Sequence, residues 1–332
     1  YTKDFDAVVN RSRNVASGMS KGVNFLMKKN KIDVINGYGK IKSGKKVEVK
    51  KDDGEIIDIQ GKNIIIATGA KSRILPNLPQ DGKKIIGYRE AMTLNSQPKK
   101  IIIVGSGAIG IEFAYFYNTM GSEVTIIEYQ DRLVPQEDKE ISKALETNFK
   151  KNGIKIFTSS ELINSKINGK SVSAIIKTAN KEKTLNADII LSAVGVKSNI
   201  DNIGLEDVGI VSDNDKIIVD EFYQTNIPGY FAIGDITKGQ ALAHVASAEG
   251  ILCVEKLAGI NTEPLDYENI PGCTYSSPEI ASVGLTEDEA KDRGYEIKIG
   301  KFPFSASGKA QASGKSEGFV KVIFDAKYGE WL

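Results

Sequence analysis

Glycines at 105, 107 and 110 stand in the run Gly105-Ser106-Gly107-Ala108-Ile109-Gly110, followed by Glu128. A GxGxxG run alone is a weak signal, and context decides its meaning. Here it follows the apolar stretch Ile101–Val104 and opens the stretch Ile111–Met120. The chain then returns through Gly121 to Val124–Ile127, which ends in Glu128. Strand, glycine turn, helix and a second strand ending in an acid are the surroundings a dinucleotide fingerprint needs. In that arrangement Gly105 allows the tight turn, Gly107 lets the backbone approach a pyrophosphate, and Gly110 permits close packing of helix on strand. The helix N-terminus, with Ser106, Ala108 and Ile109 around it, offers N–H groups and a positive dipole end to phosphates. Glu128 would accept hydrogen bonds from the ribose hydroxyls and repel a 2′-phosphate, which favours NAD over NADP.

Other chemistry-bearing residues are fewer. Glu112 lies in the first turn of the same helix, where it complements the dipole and could also face the nicotinamide end of the cofactor; both readings stand. The segment Thr225 to Asp235 ends in Phe231-Ala232-Ile233-Gly234-Asp235, an apolar strand that delivers a carboxylate to a sheet edge where ligands of open α/β folds bind. Cys253 and Cys273 are twenty positions apart in different elements and read as ordinary buried or interface thiols. His244 is the one histidine, so metal sites and most acid–base dyads are not expected.

The elements that must position these residues follow from periodicity. Residues 4–29 predict one helix, with Val8, Val9, Val15, Met19, Val23, Phe25, Leu26 and Met27 at near-helical spacing and Asn30 at its end. From Ile32 to Ile66 the pattern becomes short alternating strands with turns at Ser43-Gly44 and Asp52-Asp53-Gly54. Residues 71–98 form a Pro-containing connection with a short helix near Glu90–Leu94. Strands at 101–105, 124–128, 154–157 and 188–194 then alternate with helices at 108–120 and 137–151, which predicts a parallel sheet with crossover helices. A hairpin is expected near 161–185, a strand at Ile217–Val219, a second ending at Asp235, and a helix from Val245 to Leu257. Residues 265–332 begin another unit of strand-like alternation and glycine turns.

Composition sets outer bounds. The length suggests about two domains. Lys and Arg number 44 against 43 Asp and Glu, so no basic excess draws the chain onto nucleic acid or an anionic membrane. Lys28-Lys29 and Lys99-Lys100 read as helix-end and strand-flank charges. No stretch approaches the roughly 18 apolar residues needed to span a bilayer, and no signal-peptide core is visible in the first thirty. Two cysteines suit a reducing cytosol, so a cytoplasmic location is expected.

With these motifs in order, the chain resembles the two-dinucleotide flavoprotein disulfide reductases. Thr225 to Asp235 is similar to their second FAD fingerprint, whose aspartate bonds a ribityl hydroxyl. Ala67-Thr68-Gly69, continuing to Ala70, resembles their strand-end motif beside the flavin, and Gly37-Tyr38-Gly39-Lys40 their glycine turn in the flavin-domain meander. Ser192-Ala193-Val194-Gly195 resembles the strand leading back from the NAD domain. Ala241, Leu242-Ala243-His244 and Glu249-Gly250 resemble a segment whose backbone approaches the isoalloxazine ring. Ile270-Pro271, Tyr275-Ser276-Ser277-Pro278-Glu279 and Val283-Gly284 resemble the opening of their interface domain. One departure lies at 195–199, where many relatives have Arg after the glycine and Pro before the Asn.

The resemblance implies an α/β fold: a Rossmann-like NAD-binding domain inserted in an FAD-binding domain, plus the start of an α+β interface domain. Its expected division is 1–70 and 201–264 for FAD, 71–98 as connection, 99–200 for NAD, and 265–332 for the interface. The cofactors implied are FAD and NAD. Gly105 to Gly110, Glu112, Glu128 and Gly195 would hold NAD. Gly39, Thr68, Gly69, Ala70, Asp235 and Ala241 to His244 would line the flavin site.

The branch most similar is dihydrolipoamide dehydrogenase, which oxidises dihydrolipoyl groups on the acyltransferase of 2-oxoacid dehydrogenase complexes and forms NADH through FAD, as a homodimer. Another flavoprotein disulfide reductase, or a non-catalytic NAD-binding fragment, are the competing readings. The family's redox cysteine pair and its His–Glu dyad match nothing in this chain. The resemblance places them in over a hundred residues before Tyr1 and several dozen after Leu332. On that expectation the chain holds no catalytic residue and lacks lipoamide turnover by itself.

Overall fold

The computed structural model describes residues 2–179 and 181–332. Tyr1, where the first expected segment begins, and Asn180, within the expected hairpin, lie outside the described residues. Two compact units divide the chain. One holds the N-terminal residues through Asn10, Ser72–Gly195 and Glu268–Leu332; the other holds Arg11–Lys71 and Val196–Tyr267.

In the first unit Lys100–Val104, Glu123–Ile127, Lys155–Phe157, Ile189–Ser192 and Ile85–Ile86 form a five-stranded sheet. Every pairing in it is parallel. Its strands are continuous apolar runs because both faces are covered, and Ile101, Ile102, Ile103, Ile126 and Ile190 are all buried. The crossover helices are Ala108–Met120 and Lys139–Lys151. The first buries Gly110, Ile111, Ala114 and Tyr117, one helical face, and ends at Gly121 in a left-handed cap. The second starts at Asp138, whose side chain accepts from the Glu140 N–H at 2.9 Å.

The expected hairpin near 161–185 is a three-stranded antiparallel layer, Glu161–Asn168, Ser171–Lys177 and Glu182–Ala187. Its apolar positions Leu162, Val172, Ala174 and Ile176 join Ile102, Val104 and Ile190 in one core. The short helix of the connection occupies Tyr88–Ala91, slightly before its expected place. Beyond Glu268 the pairs Gly272–Thr274 with Ile280–Ser282, and Ile297–Pro303 with Phe319–Asp325, are antiparallel hairpins.

In the second unit Tyr38–Lys42, Lys46–Lys50 and Ile56–Gln60 make an antiparallel meander. Ile64–Ile66 pairs in parallel with Tyr230–Ala232. The core below collects Ile41, Ile66, Ile200, Ile203, Ile217, Tyr230, Ala232 and Ile236. The strand expected at Ile217–Val219 is shorter and earlier, Lys216–Ile217, with Val219 in an isolated bridge to Thr225.

The first helix spans Phe5–Lys29 as periodicity predicts. Its burial is confined to one end. Phe5 is its one buried residue and packs on Phe116 and Tyr117, whereas Val15, Met19, Val23, Phe25 and Leu26 are exposed, Met19 by 70%. Spacing defines an apolar face; it does not say what covers that face.

Candidate functional site

The strand Lys100–Val104 leaves its sheet into Gly105, whose φ of 98° lies where glycine is favoured. A Cβ at Gly105 would come within 2.4 Å of the Ala193 carbonyl oxygen, and one at Gly110 within 2.1 Å of the Gly105 carbonyl oxygen. Both glycines therefore serve packing of the turn on itself and on the neighbouring strand. Gly107 is different. It is the exposed N-cap of the helix Ala108–Met120, in extended backbone, and a Cβ there would meet nothing within 4 Å. No side chain caps that helix start, so its first-turn N–H groups are not committed to a capping side chain. Ala108 is exposed beside Gly107, and Ile109 is half-buried.

Glu128 follows the strand Glu123–Ile127 and is 7% exposed. Its Oε2 accepts from the Ser106 N–H at 2.8 Å and the Ser106 hydroxyl at 2.7 Å, and its Oε1 accepts from the Gln130 N–H at 2.7 Å. Three donors on a carboxylate with about four acceptor sites leave roughly one, on Oε1, for a further donor. Ser106, one of the expected cofactor contacts, thus has its hydroxyl and N–H committed to Glu128. Its role in the site passes through that carboxylate, a pairing the motif spacing did not reveal.

Glu112 is half-buried, and its Oε1 accepts from the Tyr275 N–H at 2.9 Å. This contact to the segment after Gly272–Thr274 is a third role beside the two that its place in the helix allowed. Gly195 lies past the strand Ile189–Ser192, exposed, with φ 94°. Its carbonyl accepts from the Arg73 N–H at 3.0 Å.

The other cluster of expected residues lies in the second unit. Past the buried Ile66, Thr68 and Gly69 are zipped to Asn199. The Thr68 hydroxyl donates to the Asn199 carbonyl at 2.7 Å, the Asn199 side-chain amide to the Thr68 carbonyl at 3.1 Å, and the Asn199 N–H to the Gly69 carbonyl at 2.8 Å. Asn199 was visible in the sequence only as part of the departing stretch 195–199. Asp235 lies in the single turn of 3-10 helix Gly234–Ile236 that follows the strand Tyr230–Ala232. Its carbonyl accepts from the Ser198 hydroxyl at 2.8 Å and the Lys216 ammonium at 2.5 Å, while the residue stays half-exposed.

The helix Ala243–Leu257 packs on that turn and begins two residues earlier than expected, with Leu242 as N-cap and no side-chain cap bond. Ala241, Ala243 and His244 are exposed at its start. Ala70 is half-buried and Gly39 is exposed in the meander, its Cα side against Val47.

Cys253 is fully buried, and burial, then the Asp220 charge, pushes its thiol up to about 11, so it stays protonated and inert near neutral pH. Cys273 is exposed, and both cysteines are free. Among the described residues no group of three or more His, Cys, Asp and Glu side chains could hold a metal ion.

Comparison with known proteins shows the family. Residues 2–250 match the family described as pyridine nucleotide-disulphide oxidoreductase, and residues 270–332 match its dimerisation domain. The chain is 45% identical to a dihydrolipoyl dehydrogenase of Rhizobium etli over 99% of its own length and 72% of that protein. It is 46% identical to a dihydrolipoyl dehydrogenase of Chlorobaculum tepidum, over 99% of the chain and 70% of that protein. The crystal structure of LpdA from Mycobacterium tuberculosis superposes with a TM-score of 0.92 at 26% identity, covering 100% of this chain and 73% of that one. The HOCl-induced flavoprotein disulfide reductase RclA of Escherichia coli gives 0.86 at 25% identity, over 99% of this chain and 75% of that one.

Proposed function

Because the chain belongs to the pyridine nucleotide-disulphide oxidoreductase family, we propose that it holds NAD on the 105–110 turn and FAD between Thr68, Gly69, Asp235 and the 241–244 segment. Its activity is that of a dihydrolipoyl dehydrogenase, which oxidises dihydrolipoyl groups and reduces NAD to NADH with FAD as intermediary. The flavin, when bound, supplies the two-electron relay between thiols and nicotinamide.

The observation that carries the NAD assignment is the open space at Gly107 next to the prearranged Glu128 carboxylate. The bare helix start and Gly107 cradle the pyrophosphate. Glu128 has an acceptor site left for a ribose hydroxyl and repels a 2′-phosphate. Ser106 holds Glu128, while Ala108, Ile109 and Gly110 shape the helix start. Glu112 and Gly195 flank the nicotinamide end. On the flavin side Asp235 accepts from a ribityl hydroxyl, the Thr68-Gly69-Ala70 backbone and Gly39 border the cofactor, and Ala241 to His244 approach the ring.

In domain terms the NAD-binding part is 99–200, and the FAD-binding part is 1–70 with 201–264, joined through 71–98. Residues 265–332 form the interface part, in line with the dimerisation-domain match and a homodimer. The natural partner is a lipoyl-bearing acyltransferase of a 2-oxoacid dehydrogenase complex, in the cytoplasm. Among the described residues no helix is long and apolar enough to cross a membrane. We assign no catalytic role within these 332 residues, because neither cysteine has a partner at redox spacing.

The test is to load the 332-residue protein with FAD and record flavin absorbance, with no NADH formation from dihydrolipoamide expected of these residues by themselves. Flavin absorbance in the purified protein, with cofactor retention lost in Asp235→Ala, is the expected result. NAD binding by a protein that takes up no flavin would favour a nucleotide-binding module instead.

A further inference from the structure

Glu249 is 1% exposed in the middle of the helix Ala243–Leu257. A carboxylate is rarely buried so fully unless donors are arranged around it. Each of its oxygens has one. Oε2 accepts from the Gly234 N–H at 2.5 Å, and Oε1 accepts from the Tyr267 hydroxyl at 2.6 Å. Gly234 is the residue before Asp235, with φ 74°, and its own carbonyl takes both the N–H and the hydroxyl of Thr237 at 2.9 Å. Fixing the Gly234 peptide therefore fixes the direction in which Asp235 leaves the strand.

Two further observations point to the same place. The Tyr267 ring lies against Gly239, where a Cβ would come within 2.8 Å of it. Tyr267 thus touches the loop leading into the 241–244 segment as well as the carboxylate behind Asp235. Tyr223, 2% exposed, is held at φ 68°, a left-handed conformation costly for an aromatic residue, and such strain persists where the surroundings over-determine it. Its carbonyl accepts from the Ala232 N–H at 3.0 Å in the strand that ends at this turn, and its hydroxyl lies 3.4 Å from that of Tyr267. Burial and the Glu249 charge both disfavour the Tyr267 phenolate, so its hydroxyl remains a donor across the working pH range.

We propose that Glu249, braced by Tyr267 and Tyr223, is a positioning residue that sets the Gly234–Asp235 turn for the ribityl chain of FAD. This rests on the reading of Asp235 as a flavin-holding residue. It predicts that the two tyrosines and Glu249 act on the cofactor through Asp235, with no contact of their own.

The experiment is an FAD titration of deflavinated holoenzyme, read by flavin fluorescence, with the absorption band of the bound flavin as a second readout. Tyr267→Phe removes one hydroxyl and Glu249→Gln preserves shape, so one of them keeps the fold intact if the other does not. Either is expected to raise the Kd for FAD by about ten-fold and to shift the bound-flavin band. In an Asp235→Asn background the same change is expected to add less than about two-fold, because the residue it acts through is gone. An unchanged Kd and band in both single variants would overturn the proposal, as would an equal added factor in the Asp235→Asn background. If Asp235→Asn alone leaves FAD binding untouched, the flavin reading itself falls, and this proposal with it.

Discussion

Ser106 bonds the Glu128 carboxylate twice, through its N–H and its hydroxyl, so the acid that would meet a ribose is oriented before any ligand arrives. Ser106→Ala is expected to keep the fold and lower the preference for NADH over NADPH several-fold, measured as the ratio of two Kd values. Gly107→Ala separates folding from binding. Its Cβ meets nothing within 4 Å in a backbone that alanine adopts readily, so the melting temperature should not move. The same Cβ fills the space proposed for the pyrophosphate, and NADH affinity should fall by about ten-fold or more. The sequence shows why three glycines and an acid stand at these positions, because backbone geometry demands them. It does not show that Ser106 serves Glu128, twenty-two positions away, or that Glu112 accepts from Tyr275. Those pairings exist only once strands and helices are packed. The bonds of Asn199 to Thr68 and Gly69 were hidden for the same reason.

At the scale of elements, the strands and crossover helices around the fingerprint are legible to within a residue or two. Both period and composition change sharply there, since a sheet covered on both faces needs continuous apolar strands. The segment 161–187 was harder, because a third strand and a hairpin differ only by one more short polar-edged run, Glu182–Ala187. The Phe5–Lys29 helix is legible in its periodicity, which does not say which of its residues are buried. The contact between the Gly105–Gly110 turn and its own helix makes a quantitative prediction. A Cβ at Gly110 would overlap the Gly105 carbonyl oxygen, a backbone atom that cannot swing aside. Gly110→Ala should cost about 1–3 kcal/mol in chemical denaturation, unlike the neutral Gly107→Ala.

On the scale of the whole first unit, charge ties its Ser72–Gly195 segment to its Glu268–Leu332 segment. The Lys321 ammonium, its side chain 5% exposed, bonds Asp138 at 2.9 Å and Glu287 at 2.7 Å, and Glu140 lies at 3.2 Å. Lys291 and Lys321 hold Glu287 well below its ordinary 4.5, at about 2. At Asp138 burial pushes the carboxyl up, but the Lys321 ammonium and backbone N–H groups outweigh it and hold it low. A carboxyl depressed in the folded state stabilises the fold above its ordinary value and loses that contribution as pH falls through its folded value. Thermal stability should therefore drop between about pH 4.5 and 2, and Lys321→Met should flatten that drop while lowering stability at neutral pH by about 2 kcal/mol. Nothing in the sequence marked this cluster, because its members are scattered from 138 to 321.

The account as a whole depends on nucleotide uptake at the Gly105–Gly110 turn with Glu128 beside it. Calorimetric titration of NADH and NADPH into the folded protein and its Glu128→Ala variant tests that dependence. Saturable NADH heat with a clear preference over NADPH, both lost in the variant, is the expected result. Absence of NADH heat, or a preference unchanged by Glu128→Ala, would contradict it.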